Sequence, residues 1–153
     1  MIRKARIGDA KAIHRLLIGY AGDGLMLSRS LPEIYETIRD IYVFEDAGAV
    51  VGTVWLHVCW EDLAEIRSLA VAAEAGGKGI GRLLVDAAIN EAREIGMIRV
   101  FCLTYQPGFF GKLGFNEIEK SELPHKIWGD CIKCAKFPEC DEIAMQLELA
   151  SGS

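Results

Sequence analysis

No stretch of about 18 consecutive apolar residues occurs anywhere in the 153-residue sequence, so no segment has the length to cross a bilayer as a helix. An excess of cations is equally missing: Lys and Arg number 17 against 22 Asp and Glu, for a formal charge of -5. Sequence-independent binding to nucleic acid or to an anionic membrane needs clustered Lys and Arg, so this balance argues against both and for a small-molecule partner. Met1 leads into Arg3, Lys4, Arg6 and Asp9 without an apolar stretch of signal-peptide length, which makes the cytoplasm the expected location. There is no internal repeat and no low-complexity segment. The cysteines number 5, an odd count, and Cys59 and Cys102 sit inside apolar strand-like runs. Those two read as small buried hydrophobes in a reducing compartment.

What is present fits one globular domain with a real core, at 51% hydrophobic and 25% charged residues. Residues 1–150 are read as that domain and 151–153 as a tail. Apolar periodicity and turn chemistry predict strands at 2–7, 42–45, 50–58, 64–71, 98–103, 115–118 and 143–149. They predict helices from the Gly8-Asp9 cap to Gly19, from the Ser30-x-x-Glu33 capping box to Asp40, from Ile80 to Gly96, and over 107–113. The apolar positions of the third helix are Ile80, Leu83, Leu84, Ala87, Ala88, Ala92 and Ile95. In the strand at 64–71 a period of two places Glu65, Arg67, Leu69 and Val71 on one face and Ile66, Ser68 and Ala70 on the other. Glu65 and Arg67 then point the same way, roughly 6 to 7 Å apart.

The stretch around which the rest is arranged is AEIRSLAVAAEAGGKGIGRL, residues 64–83. A strand runs into Gly76, Gly77, Gly79 and Gly81, and an amphipathic helix follows directly. Glycines remove side chains where backbone amides can approach an anion, and the helix start adds unpaired N–H groups and a positive dipole end. Two common phosphate loops are disfavoured by spacing. A dinucleotide fingerprint needs G-x-G-x-x-G, whereas Gly77, Gly79 and Gly81 run as G-x-G-x-G; a Walker A loop needs Ser or Thr after its Lys, and Lys78 is followed by Gly79. Glycines serving only a tight turn and close packing are the simpler alternative.

LAV followed by GGKGIGRLL, then a strand, then FFGKLGF, resembles the GCN5-related N-acetyltransferase (GNAT) superfamily over about residues 2–149. The resemblance implies an α/β (α+β) fold: a mixed, twisted central sheet of six to seven strands, about four flanking helices, and central parallel strands that splay apart. It also implies an acetyl-CoA site. The pyrophosphate would lie on the amides around Gly76, Gly77, Lys78, Gly79, Ile80, Gly81 and Arg82. The pantetheine would run along the backbone of Leu69, Ala70 and Val71, with an amide near Leu69 or Ala70 as oxyanion donor. Where the family usually carries Arg or Gln at the start of the turn, this chain has Gly76, so side-chain help to the pyrophosphate falls to Lys78 or Arg82.

Acetyl transfer needs a deprotonated amine, a polarised carbonyl and a stabilised thiolate. Glu65 is the candidate base, with pairing to charges across the sheet as its plainer alternative. The slot where the superfamily often carries a tyrosine acid is Phe110, which has no proton to give. Tyr105, or release of free thiolate, is the alternative. Phe109 and Phe110 pack either along the adenine and pantetheine or into the core.

A narrower resemblance rests on LMLSRS (25–30), EIRSLAV (65–71) and VFCLTYQPGFFGKLGF (100–115) followed by LPHKIW: these look like the short single-domain N-acetylglutamate synthases of arginine biosynthesis. It implies acetyl transfer to the α-amine of L-glutamate by direct attack in a ternary complex, without an acetyl-enzyme. A dicarboxylate needs fixed cations, and Arg29, Arg67 and Lys126 are the candidates. Two rivals stay open: another amine acceptor (a different amino acid, a polyamine or a protein N-terminus), and a non-catalytic acyl-CoA-binding regulatory domain. A homodimer is also left open. Finally, Cys131, Cys134 and Cys140 with His125 upstream have a spacing that suits a structural zinc ion, against the alternative of reduced thiols or an adventitious disulfide.

Overall fold

The computed structural model describes residues 1–22, 29–123 and 142–149. Its strands are β1 (Ile2–Lys4), β2 (Ile41–Asp46), β3 (Ala49–Val58), β4 (Leu63–Val71), β5 (Arg99–Thr104), β6 (Asn116–Ile118) and β7 (Ile143–Glu148), and its helices α1 (Ala10–Gly22), α2 (Leu31–Glu36), α3 (Ile80–Glu94) and α4 (Pro107–Lys112). The strands form a seven-stranded sheet in the order β1-β2-β3-β4-β5-β7-β6. β4 and β5 run parallel, while the β1–β2, β2–β3, β5–β7 and β6–β7 pairs are antiparallel. This is the mixed sheet with helices that the sequence leads one to expect. The chain packs as two compact units, Met1–His57 with Ile66–Glu91 and Val58–Glu65 with Ala92–Ser153.

In the first unit, Ile13 and Leu17 of α1 lie one helical turn apart and bury with Ile34 of α2, Ile41 and Val43 of β2, Trp55 of β3 and Ala70 of β4. Each such side chain removed from water contributes roughly 1.5–3 kcal/mol. β2 and β3 are joined through Ala47 (φ 52°) and Gly48 (φ 81°), a two-residue turn with both residues left-handed, which matches the twist of the strands. α2 starts on the expected capping box: the Glu33 amide donates to Ser30 Oγ at 3.3 Å, and the Ser30 amide donates to Glu33 Oε1 at 3.3 Å. α3 buries Ile80, Leu84, Val85, Ala88, Ile89 and Ala92. It ends at Gly96 (φ 89°), with Met97 N–H bonded to Ala92 O and Gly96 N–H to Arg93 O, a Schellman closure. In the second unit, Cys59, Leu63, Phe101, Leu123 and Ala144 form the core.

Several local expectations need correction. The first strand stops at Lys4, and a 3-10 turn, Ile7–Asp9, comes before α1. Asp9 does not cap α1; its carboxylate accepts the Arg6 amide at 2.8 Å and so caps that turn. α1 passes through Gly19 to Gly22, because an exposed helical glycine costs only about 1 kcal/mol. α2 ends at Glu36, and a separate 3-10 turn, Ile38–Asp40, follows. The break is at Thr37, whose hydroxyl donates to Glu33 O at 2.7 Å and accepts the Trp55 indole N–H at 3.0 Å. Leu83 on α3 and Ile95 just past its end are exposed, so the buried stripe runs through Val85 and Ile89 instead. The period of two does not continue through β4, because Ser68 has φ 55°. A left-handed residue inside a strand interrupts the alternation of faces, so Leu69 and Val71 do not simply continue the face counted from Glu65 and Arg67.

Candidate functional site

The glycine turn is assembled from the end of β4. Ala72 N–H donates to Val51 O at 2.7 Å, a 3-10 turn covers Ala73–Ala75, and Gly76 continues extended at φ -66°, ψ 156°. Gly77 and Gly79 then adopt φ 80° and 75°, and a Cβ at either would meet nothing within 4 Å. Backbone conformation, not crowding, is what demands glycine at these two positions. Leu83 N–H closes the first helical turn onto Gly79 O at 3.1 Å, so Gly79 is the N-cap. The amides of Ile80, Gly81 and Arg82 are therefore the orphan donors of a 15-residue helix, at the end where its dipole is positive. Lys78 and Arg82 flank them from solvent; Arg82 Nε lies 4.0 Å from Asp86 Oδ2, a loose exposed pair that leaves the guanidinium available to a phosphate. The cradle fits an anionic diphosphate without the customary Arg or Gln at position 76.

β4 carries Leu69, Ala70 and Val71 beyond the end of its parallel ladder with β5, which pairs Leu63–Glu65 with Arg99–Phe101. Ala70 is buried among the α1 and α2 side chains, so its backbone is the part left for a ligand. Arg29 and Arg67 belong to the same unit as the glycine turn. Arg29 is 7% exposed, with Nη1 3.7 Å from Glu33 Oε2. Arg67 is half-buried, and the Nε atoms of both arginines are shielded from solvent. Guanidinium groups are rarely buried unless an anion accompanies them. The unit also has an open cavity of about 930 Å³ lined by Asp9 of the 3-10 turn, Arg15 and Leu16 of α1, and residues 48–50 and 72–74, and it includes none of the residues read from sequence as site residues.

Glu65, Phe109 and Phe110 belong to the second unit. Glu65 is 8% exposed and stands in register with Phe101. Phe110 is 5% exposed, edge-on to Phe109 at 5.0 Å and to Phe115 at 5.2 Å. The slot of the expected tyrosine is thus closed by a packed ring. Cys102, 1% exposed, has its thiol pushed well above the ordinary range, first by burial and then by the negative charges of Glu65 and Glu142. A thiol held neutral in this way is no nucleophile. Lys126, His125, Cys131, Cys134 and Cys140 lie outside the described residues; among the described residues no group of three His, Cys, Asp or Glu is placed to hold a metal ion. Likewise, no helix among them is long and apolar enough to cross a membrane.

Sequence reading missed one pair. His57 Nδ1 of β3 lies 3.1 Å from Asp40 Oδ2 at the end of the turn after α2. The two are 17 residues apart, and no local pattern signals such a contact.

The Acetyltransferase (GNAT) family matches residues 19–115 of this chain. An uncharacterized N-acetyltransferase of Chlorobaculum tepidum is 51% identical over 144 residues, covering 94% of this chain and 93% of the relative. An amino-acid acetyltransferase of Mycobacterium tuberculosis is 38% identical over 133 residues, covering 85% of this chain and 76% of the relative. In three dimensions, the chain is similar to the N-acetylglutamate synthase of Neisseria gonorrhoeae complexed with coenzyme A and N-acetyl-glutamate, with a TM-score of 0.90 and 28% identity. That match covers 98% of this chain and 35% of the Neisseria chain.

Proposed function

The chain belongs to the GNAT family of acetyltransferases and is an acetyl-CoA-dependent N-acetyltransferase, and we propose that its acceptor is the α-amine of L-glutamate. The observation that carries this reading is the pair Arg29 and Arg67: two guanidinium groups with shielded Nε atoms in the unit that also holds the donor turn. A dicarboxylate is the acceptor that calls for two fixed cations, and guanidinium matches carboxylate geometry in a way that an ammonium does not. The relatives support the reading by what they are named for, an amino-acid acetyltransferase and an N-acetylglutamate synthase.

In this reading the amides of Ile80, Gly81 and Arg82 hold the diphosphate of acetyl-CoA, and Leu69, Ala70 and Val71 bind the pantetheine along their backbone. Arg29 and Arg67 hold the two carboxylates, with Lys126 as a third cation, and Glu65 is the base. The amine attacks the thioester directly, since Cys102 is held as a neutral thiol and Phe110 supplies no acid. The reaction belongs in the cytoplasm, as the first step of arginine biosynthesis.

The test is release of CoA with glutamate, alanine, aspartate and spermidine as acceptors. Glutamate is expected to give the highest kcat/KM, and a rate no better than that with the other amines refutes the assignment. Arg29→Ala and Arg67→Ala are each expected to raise the glutamate KM about 10- to 150-fold, the equivalent of a lost charge-assisted contact of about 1.5–3 kcal/mol. The acetyl-CoA KM should stay near the unmutated value; equal increases in both constants would mean the arginines do not form the amino-acid pocket.

A further inference from the structure

We propose that Glu33 is the positioning residue for Arg29, holding its guanidinium by charge where it meets the acceptor's carboxylate; this rests on the reading of Arg29 as part of the amino-acid pocket. The two side chains come together because of how α2 begins. Ser30 is the N-cap and Glu33 the third helical residue, and the capping box turns the Glu33 side chain back over the helix start. There Glu33 Oε1 accepts the Ser30 amide at 3.3 Å and the Ser30 hydroxyl at 3.1 Å. Arg29 immediately precedes the cap, and the other carboxylate oxygen, Oε2, lies 3.7 Å from its Nη1. One oxygen closes the helix and the other faces the cation.

Burial makes this pairing matter. The Arg29 side chain is 9% exposed, and a guanidinium so far out of water needs an anion nearby, whereas Glu33, at 46%, keeps its carboxylate partly solvated. The separation exceeds the length of about 2.7–2.9 Å typical of a charge-assisted hydrogen bond, so the contact is coulombic. Arg3 and Asp9, in the same unit, form the other kind of pair: a fork closed at 2.7 and 3.0 Å that occupies both Nη atoms. Glu33 fixes charge without closing such a fork, which suits a cation that also meets a ligand's carboxylate.

Glu33 is itself held from the sheet. Its carbonyl accepts the Thr37 hydroxyl at 2.7 Å, Thr37 Oγ1 accepts the Trp55 indole N–H at 3.0 Å, and Trp55 is buried on β3. Ile34, the next residue of α2, is buried in the same core as Trp55. A chain of contacts thus runs from β3 through Thr37 and Glu33 to Arg29, and every member lies in one compact unit. A cation fixed in this way favours binding, because the cost of ordering it is met on folding and not when the ligand arrives.

The experiment uses Glu33→Gln and Glu33→Ala, alone and combined with Arg29→Ala, with kcat and both KM values measured on whichever amine the unmutated enzyme acetylates fastest. Gln also serves in a capping box, so Glu33→Gln keeps the acceptor for the Ser30 amide and removes the charge. Both variants should raise the acceptor KM alike, about 3- to 10-fold, with kcat and the acetyl-CoA KM within about 2-fold of the unmutated values. Beside Arg29→Ala, neither should raise the acceptor KM further. A Glu33→Gln enzyme whose acceptor KM is unchanged or lowered, with only Glu33→Ala raising it, would show that Glu33 acts through the cap and overturns the proposal. A rise that persists in full beside Arg29→Ala overturns it as well, and both results leave the amino-acid pocket standing. An Arg29→Ala enzyme with an unchanged acceptor KM refutes the pocket itself, and the proposal falls with it.

Discussion

Gly52 of β3 lies beneath the first turns of α3, and Gly52→Ala tests whether that contact sets the acetyl-CoA cradle. A Cβ built there would stand 2.9 Å from Leu84 Cδ1, 3.1 Å from Ile80 Cγ2 and 3.5 Å from Ala70 O. Leu84 and Ile80 are 0% and 3% exposed, so neither side chain can swing into water to make room. Overpacking of this kind costs about 1–3 kcal/mol, from which the strand preference of Ala over Gly, about 0.5–1 kcal/mol, is subtracted. The remainder, about 1 kcal/mol at the middle of both ranges and about 2.5 at most, corresponds to a Tm lowered by about 2–4 °C in the central case for a chain of this size. The strain falls on Leu84 and on Ile80, which adjoins the Gly79 cap, and α3 relieves it by shifting the amides of Ile80, Gly81 and Arg82. The acetyl-CoA KM should therefore rise about 2- to 30-fold while the acceptor KM stays within about 2-fold. Thermal melts and CoA-release kinetics measure both effects. An unchanged Tm would mean that β3 and α3 do not touch as described, and an equal rise in both KM values would mean that the strain is not directed at the donor cradle.

Much of the scaffold around that cradle is written locally. Residues 76–82 announce a glycine turn and a helix start because the signals lie within a few positions of each other, and Gly77 and Gly79 take the left-handed conformation that their spacing allows. The Ser30–Glu33 box and the Gly96 cap are legible for the same reason. What escapes the sequence depends on partners far along the chain. α2 breaks at Thr37 because Trp55 is 18 residues away and needs an acceptor for its indole N–H. The β4 alternation fails at Ser68 because its backbone is left-handed, and Ser is not a residue that advertises positive φ. Gly52 reads as a weak point in a strand until α3 is seen above it. Arg29 and Arg67 could be named as cations from sequence, but the shielding of their Nε atoms appears only once the chain is folded.

Gly79→Ala should raise the acetyl-CoA KM and cost about 1–2 kcal/mol of stability, because an L side chain at φ 75° is strained even with open space around it; Gly76→Ala, at φ -66°, carries no such backbone strain, only a Cβ 3.3 Å from Ala73 O, and should cost less, so equal losses in paired melts would contradict this. Cys102→Ala should retain acetylation, and mass spectrometry of the unmutated protein after acetyl-CoA alone should find no acetyl group on Cys102, whose thiol stays protonated through burial and the neighbouring Glu65 and Glu142; an acetylated Cys102 would revive a two-step route. Asp9→Asn probes the device that starts the first unit. Arg3 Nη1 and Nη2 grip Asp9 Oδ2 and Oδ1 at 2.7 and 3.0 Å, and the Arg6 amide adds a bond at 2.8 Å. The Arg3 hydrogen bonds, outweighing the cost of burial, hold the Asp9 carboxyl below its usual 3.8. A carboxyl depressed in the folded state contributes stability that is fully present above its unfolded value and disappears as pH falls through the folded one. At neutral pH the variant should therefore be less stable by about 1–2 kcal/mol. The gap between the two proteins should narrow only below about pH 4 and vanish once the carboxyl of the unmutated protein is itself neutral. Melts across that range decide the matter: a gap that stays constant with pH would show that Asp9 acts through shape and the Arg6 amide, not through its charge.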